Sequence, residues 1–203
     1  MSRPRRVALL ALLAALAACG GGTPKLAQLP GDAVVLAFGD SLTFGTGADP
    51  QRSYPAQLEK LIGRKVVAAG VPGEVSSAGL ARLAGLLEEV QPKLVILCHG
   101  GNDFLRKLDD VQTANNIRAM VRLAMAQGAQ VMLIGVPKPG LLPSTAGFYE
   151  DIAREFRLPY EDAALKKILT DNELKSDLIH PNARGYARLA EAVAALLKKA
   201  GAV

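Results

Sequence analysis

Aromatic side chains are scarce in this chain: tryptophan is absent, and phenylalanine and tyrosine together make up 4% of its 203 residues. They are not interleaved with basic runs, so the stacking platform of a single-strand nucleic-acid binder is missing. Glycine-rich phosphate fingerprints are missing too. Neither G-x-G-x-x-G nor the Walker pattern occurs, which argues against a nucleotide-binding α/β protein. There is no internal repeat. Only two cysteines, Cys19 and Cys98, and two histidines, His99 and His180, are present, which excludes a multi-disulfide framework and leaves few candidates for a general base. Neither sign of charge is in large excess, with 24 basic residues against 19 acidic ones and a formal net charge of +5. Half of the residues are hydrophobic. The length suits one full-sized domain with a substantial core and is too short for two comfortable ones.

An unbroken apolar run over residues 7–18 follows Arg3, Arg5 and Arg6 and ends in small residues before Cys19. That is the three-part layout of a secretory signal. As a helix the run would span about 18 Å, against roughly 30 Å of hydrocarbon, so a membrane span is not expected. Leu16-Ala17-Ala18-Cys19 resembles the lipobox of bacterial lipoproteins. The resemblance implies a signal peptide over residues 1–18 and lipid attachment at Cys19, the alternative being an ordinary signal cut nearby. Several acyl chains would anchor the protein firmly, because each buried CH2 contributes about 0.8 kcal/mol. Residues 19–32, with Gly20-Gly21-Gly22-Thr23-Pro24 and Pro30-Gly31, read as the lipidated cysteine and a flexible tether. Gly20 stands where lipoproteins retained in the inner membrane carry an aspartate, which implies a cell-envelope protein held at the outer membrane and facing the periplasm. Without the three N-terminal arginines the chain has 21 basic against 19 acidic residues, so electrostatics makes no case for nucleic acid. Cys98, with Cys19 taken by lipid, reads as a small buried apolar residue and no intrachain disulfide is predicted.

In the remainder, apolar runs alternate with helical periodicity. Strands are predicted at 33–37, 65–70, 93–98 and 130–136, with an edge strand at 158–160. Helices are predicted at 54–62, 76–90, 111–127, 146–156, 163–169 and 184–200. The runs are too continuously apolar for a half-exposed sheet, so the pattern predicts an α/β fold with a parallel sheet of about five strands and helices on both faces. In open sheets of this kind a site lies beyond the carboxyl ends of the strands, near the point where strand order reverses. Polar turns containing glycine follow the first three strands at those ends.

The first such turn, Gly39-Asp40-Ser41-Leu42, carries a small hydroxyl directly after a buried run. On its own a serine between strand and helix is most often a cap or turn residue. A nucleophilic serine needs a base and something to hold the base. His180 lies in Asp177-Leu178-Ile179-His180, where a spacing of three within one helical turn would bring the carboxylate of Asp177 beside the imidazole. His99 has no acid at such a spacing and reads as structural, with a supporting contact near the site as the alternative. Acyl transfer also requires donors for an oxyanion. Gly73 permits an unshielded backbone N–H and Asn102 supplies a side-chain amide, although turn geometry and helix capping explain either one alone.

Taken together, Gly39-Asp40-Ser41-Leu42, Gly73, Gly100-Gly101-Asn102-Asp103 and Asp177-Leu178-Ile179-His180 resemble, in order, the four blocks of the SGNH (GDSL) hydrolase superfamily. The G-x-S-x-G elbow of α/β-hydrolases is absent. The resemblance implies a three-layer flavodoxin-like fold over residues 33–203, with no metal or cofactor. It implies Ser41 as nucleophile, Asp177 and His180 as the other triad members, and Gly73 and Asn102 completing an oxyanion hole with the Ser41 N–H. Tyr54-Pro55-Ala56-Gln57-Leu58 and the run Gly100-Gly101-Asn102-Asp103-Phe104-Leu105-Arg106 are similar to the small bacterial arylesterase, thioesterase and lysophospholipase group. The second block, Ala68-Ala69-Gly70-Val71-Pro72-Gly73, has alanine where an asparagine is common, and Pro72 and His99 are further departures. The expected partner is a small-molecule or lipid ester, handled by a monomer, with Leu42, Phe44, Phe104, Leu105, Leu141 and Leu142 as candidate cleft-lining residues. Deacetylation of envelope carbohydrate is the alternative activity, and a ligand-binding lipoprotein on an inactive scaffold the alternative class.

Overall fold

The computed structural model describes residues 22–140 and 144–203. Its centre is a parallel sheet whose strands form where the apolar runs predict them. β1 (Val34–Gly39), β2 (Lys65–Gly70), β3 (Leu94–Cys98) and β4 (Gln130–Ile134) are joined at one edge by β7 (Tyr160–Glu161), in the order β2-β1-β3-β4-β7. All four pairings are parallel, with Val35 opposite both Val66 and Leu94. Continuous burial explains the composition: every residue of β3 is buried, as is all of β1 after Val34. The edge strand comprises two residues and begins where the predicted one ends, at Tyr160.

The helices cover both faces. α2 (Tyr54–Ile62) packs on α8 (Ala183–Ala200), and α3 (Ser76–Val90) packs on α5 (Asp110–Ala126). α6 (Gly147–Phe156) leans on α5 and β4, and α7 (Ala164–Thr170) lies against α8. Local chemistry sets their ends. Pro55 occupies the first turn of α2, where its missing N–H costs nothing, and Gly63 closes that helix at φ 61°. Asp109 caps α5 through the Gln112 N–H, and Asn182 caps α8 through the N–H groups of Arg184 and Gly185. Amphipathic faces then bury Leu83 and Leu87 from α3, Ile117 and Val121 from α5, and Leu189 and Val193 from α8. Cys98 is fully buried at the end of β3.

Besides a single 3-10 turn at Pro50–Arg52, three short elements escape prediction because they are too brief to show periodicity: α1 (Ser41–Phe44), α4 (Gly101–Leu105), and a hairpin of β5 (Pro137–Lys138) with β6 (Ser144–Thr145). All three follow carboxyl ends of strands. The segment expected to be a free tether differs from that expectation over residues 25–29. Leu26 and Leu29 donate backbone hydrogen bonds to the carbonyls of Ala200 and Ala202 at 3.0 and 2.8 Å, and Leu29 is buried. Gln130 brackets Ala27 by accepting its N–H and donating to its carbonyl, and Lys25 Nζ donates to the Lys199 carbonyl. The chain is thus fastened where β4 begins and α8 ends, at the opposite end of the sheet from the three short elements. The predicted signal peptide, Cys19, Leu141 and Leu142 lie outside the described residues.

Candidate active site

β1 ends on Gly39, where any Cβ would run into the Cys98 carbonyl and the Thr43 hydroxyl, so a larger residue could not bring the two central strands together at this point. Asp40 follows and caps α1, its Oδ1 accepting the Leu42 N–H at 3.1 Å. Ser41 is consequently the first residue of a helical turn seated above the crossover between β1 and β3. Its backbone N–H is one of the donors that a helix start leaves without an intrahelical partner.

The loop between α7 and α8 brings the base to this serine. Ser176 N–H donates to the His180 carbonyl at 2.9 Å and Lys175 bridges Pro181, which pinches residues 175–181 into a tight loop. Asn182 fastens its base through the carbonyls of Glu173 and Lys175. Asp177 and His180 do not share a helical turn, as the spacing of three suggests. Instead Asp177 Oδ1 accepts the N–H groups of Ile179 and His180 at 2.8 and 2.9 Å, folding the backbone around its own carboxylate. Its Oδ2 lies 2.8 Å from His180 Nδ1, and His180 Nε2 lies 3.0 Å from Ser41 Oγ. A carboxylate on Nδ1 fixes the tautomer with the proton there, so Nε2 faces the hydroxyl as an acceptor. Burial pushes the Asp177 carboxyl upward, but hydrogen bonds from Ile179 N–H and from the His180 ring and N–H outweigh it and hold the group below the usual range.

Ser41, Asn102 and His180 share the wall of a cleft of about 800 Å³. Leu42 and Leu105 line it as expected, joined by Val136, Pro139, Leu169 and Ile179. Phe44 and Phe104 do not. Phe44 is 55% exposed away from the cleft, whereas Phe104 is buried against Phe148 and Tyr149 at centroid distances of 6.0 and 6.4 Å. In a helix of five residues, neighbours point in different directions, and Leu105 rather than Phe104 faces the cleft.

Gly73 sits beside this wall rather than in it. Val71-Pro72-Gly73-Glu74 forms a turn closed by Glu74 N–H to the Val71 carbonyl at 3.2 Å. Proline at its second position and φ +78° at Gly73 are the pattern of a type II turn. Asn102 connects the turn to the cleft, its Nδ2 donating to the Glu74 carbonyl at 3.0 Å.

Several polar residues around the site have partners that no sequence pattern announces, although Asp40, Asp103 and His99 stand in or beside the blocks quoted above. Asp103 accepts from the Ser76 N–H and hydroxyl at 2.8 and 2.6 Å and from the Thr113 hydroxyl, which pins α3, α4 and α5 together. Glu74 is gripped by Arg82 and His99. Residues so far apart along the chain present no periodicity, and only the fold makes them neighbours. Asp40 is also buried. Desolvation raises its pKa against the opposing influence of His99 and the Leu42 N–H, and its Oδ2 has no full hydrogen bond among the described residues.

Comparison with known proteins agrees with this geometry. Residues 37–188 match the model of the GDSL-like Lipase/Acylhydrolase family. Esterase TesA of Pseudomonas aeruginosa is 37% identical over 119 residues, which span 56% of this chain and 59% of that esterase, less than two thirds of its length. The thioesterase 1/protease 1/lysophospholipase L1 of Escherichia coli K12 is 31% identical over 156 residues, or 73% of this chain and 75% of the relative. A crystal structure of TesA superposes with a TM-score of 0.73 at 31% identity, covering 82% of this chain and 99% of that one. The family match runs from within β1 into the first turns of α8, with the serine, asparagine and histidine blocks inside it, and the chain therefore belongs to the GDSL-like lipase/acylhydrolase family, the SGNH hydrolases.

Proposed function

We propose that this hydrolase cleaves carboxylic esters, and thioesters of similar shape, through an acyl-enzyme on Ser41. The observation that carries the reading is the hydrogen-bonded chain from Ser41 Oγ through His180 to Asp177, at 3.0 and 2.8 Å. His180 Nε2 takes the Ser41 proton as Oγ bonds to the carbonyl carbon, and Asp177 stabilises the imidazolium. The Ser41 N–H and the second amide hydrogen of Asn102 receive the oxyanion, and the Gly73 N–H is the third donor that the family resemblance implies, on a turn that borders the cleft. Collapse breaks the bond to the leaving alcohol or thiol, which departs with the proton from His180. Water then attacks the acyl-Ser41 carbonyl while His180 takes its proton, and the acid leaves as Oγ is reprotonated.

The apolar walls of the cleft, Leu42, Leu105, Leu169 and Ile179 among them, favour an acyl chain over a sugar. A panel of p-nitrophenyl esters from acetate to palmitate, run beside an acyl-CoA and a lysophospholipid, tests this. Activity on acyl esters longer than acetate supports the reading. Turnover of acetate alone, with release of acetate from acetylated glycan, replaces it with carbohydrate deacetylation. If Ser41→Ala retains full activity, the nucleophile assignment is wrong.

Lipid attachment at Cys19 in the cell envelope completes the proposal. Five residues separate Cys19 from Lys25, the first docked side chain among the described residues, and the six chain steps between them allow at most about 20 Å of reach. Since the docked segment leaves from the end of the sheet opposite Ser41, an enzyme so anchored presents its cleft away from its own bilayer.

A further inference from the structure

Three side chains that the reaction does not itself consume converge beneath the turn carrying Gly73. The Glu74 carboxylate accepts Arg82 Nε at 2.7 Å and Arg82 Nη2 at 2.8 Å on its two oxygens, and His99 Nε2 lies 3.1 Å from the second of these. His99 has no exposed surface, and its Nδ1 accepts the Gly100 N–H at 2.9 Å. The ring proton therefore resides on Nε2 and is donated to Glu74. Space for that ring exists only because residue 79 is glycine, since a Cβ there would collide with it. Arg82 in turn donates Nη2 to the carbonyls of Gly39 and Ala69 at 3.1 and 2.9 Å, at the ends of β1 and β2, and lies 4.2 Å from the centroid of the Phe38 ring. The unit thus ties the ends of three strands to one residue of the turn.

The same residue meets the site through its backbone, because the Glu74 carbonyl accepts Asn102 Nδ2 at 3.0 Å. That bond fixes the plane of the Asn102 amide and hence the direction of its other N–H. Gly73 is held on its other side, its carbonyl accepting Arg106 Nη2 at 2.8 Å. An oxyanion donor acts only if it is already aimed when charge develops, and a displacement of about 1 Å can cost roughly 10²-fold in rate.

We propose that Arg82, Glu74 and His99 form a positioning unit for the oxyanion hole, holding the Val71–Glu74 turn so that the Glu74 carbonyl aims Asn102. This rests on the reading of Asn102 as an oxyanion donor. Glu74→Gln keeps the shape but not the carboxylate that draws in both Arg82 and His99. On p-nitrophenyl acetate its kcat is expected to fall about tenfold with KM within about twofold, because a donor aimed at the transition state contributes little to ground-state binding. In an Asn102→Ala background the same substitution is expected to cost less than about twofold, because the group it aims is gone. A second pair reads the histidine: His99→Leu removes the donor to Glu74 and lowers kcat, while His99→Gln, which retains an N–H at the same reach, recovers most of the loss. Equal losses from Glu74→Gln with and without Asn102, or no rescue by His99→Gln, overturn the positioning role and leave the donor reading intact. A silent Asn102→Ala overturns both. If Glu74→Gln does not fold, the histidine pair decides alone.

Discussion

At the scale of single residues, the site is a set of short-range constraints that each correct a weakness of the side chain it serves. A serine hydroxyl is inert without a base, and His180 needs its tautomer set. Asp177 sets it while spending its other oxygen on two backbone N–H groups. Asp177→Asn keeps the loop's shape but permits the wrong tautomer, so kcat is expected to fall by roughly 10³–10⁴ with KM little changed; steady-state kinetics on a p-nitrophenyl ester checks it, and a loss below tenfold would speak against the triad. The residue pair was legible in the sequence for the wrong backbone reason. A spacing of three suggests a helical turn, whereas the carboxylate organises a capped loop to the same effect. Phe104 and Leu105 mark the opposite limit: adjacent apolar residues on a helix too short for periodicity cannot be sorted into core and cleft without the fold.

At the scale of elements, the long ones were readable because each shows its own period of burial. The strand over Leu94–Cys98 is buried on both faces and must be a continuous apolar run, and the helix over Ser76–Val90 buries one face and shows helical apolar spacing. Ile96, fully buried in the centre of the sheet, has no room to relax. Ile96→Ala is expected to destabilise the protein by about 2–5 kcal/mol in urea unfolding. The turn carrying Gly73 was legible only as a turn, since its ties to Arg82 and His99 bridge separate elements. Burial alone would push the Glu74 carboxyl upward, but hydrogen bonds from His99 and Arg82 together with the Arg82 charge prevail and bring it down to about 2. A carboxyl depressed in the folded state stabilises the fold above its ordinary value of 4.5 and loses that contribution as pH falls toward about 2. The urea midpoint of the wild type is therefore expected to drop across this window, and that of Glu74→Gln to drop less. Parallel curves would show that the unit contributes nothing to acid sensitivity.

At the scale of the whole molecule, strand order places β1 and β3 side by side with helices on both faces, so the serine and asparagine turns open onto one cleft while the N-terminal segment docks at the far end of the sheet. Docking of Leu26 and Leu29 was not legible, because a glycine- and proline-rich stretch predicts freedom and only the end of α8 supplies its partners. In vesicles bearing the lipidated protein, soluble esters are expected to be cleaved as fast as by Cys19→Ala in solution, and lysophospholipid in the same bilayer no faster than by that unanchored variant. Preferential cleavage of lipid in its own bilayer would contradict the outward-facing orientation. The central claim, that Ser41 is the nucleophile activated by His180, is tested most directly by the intact mass of the protein after treatment with an alkyl fluorophosphonate. One adduct per chain, mapped to Ser41, absent from Ser41→Ala and strongly slowed in His180→Ala, is the predicted result; an adduct on another residue, or equal labelling of Ser41→Ala, would contradict it.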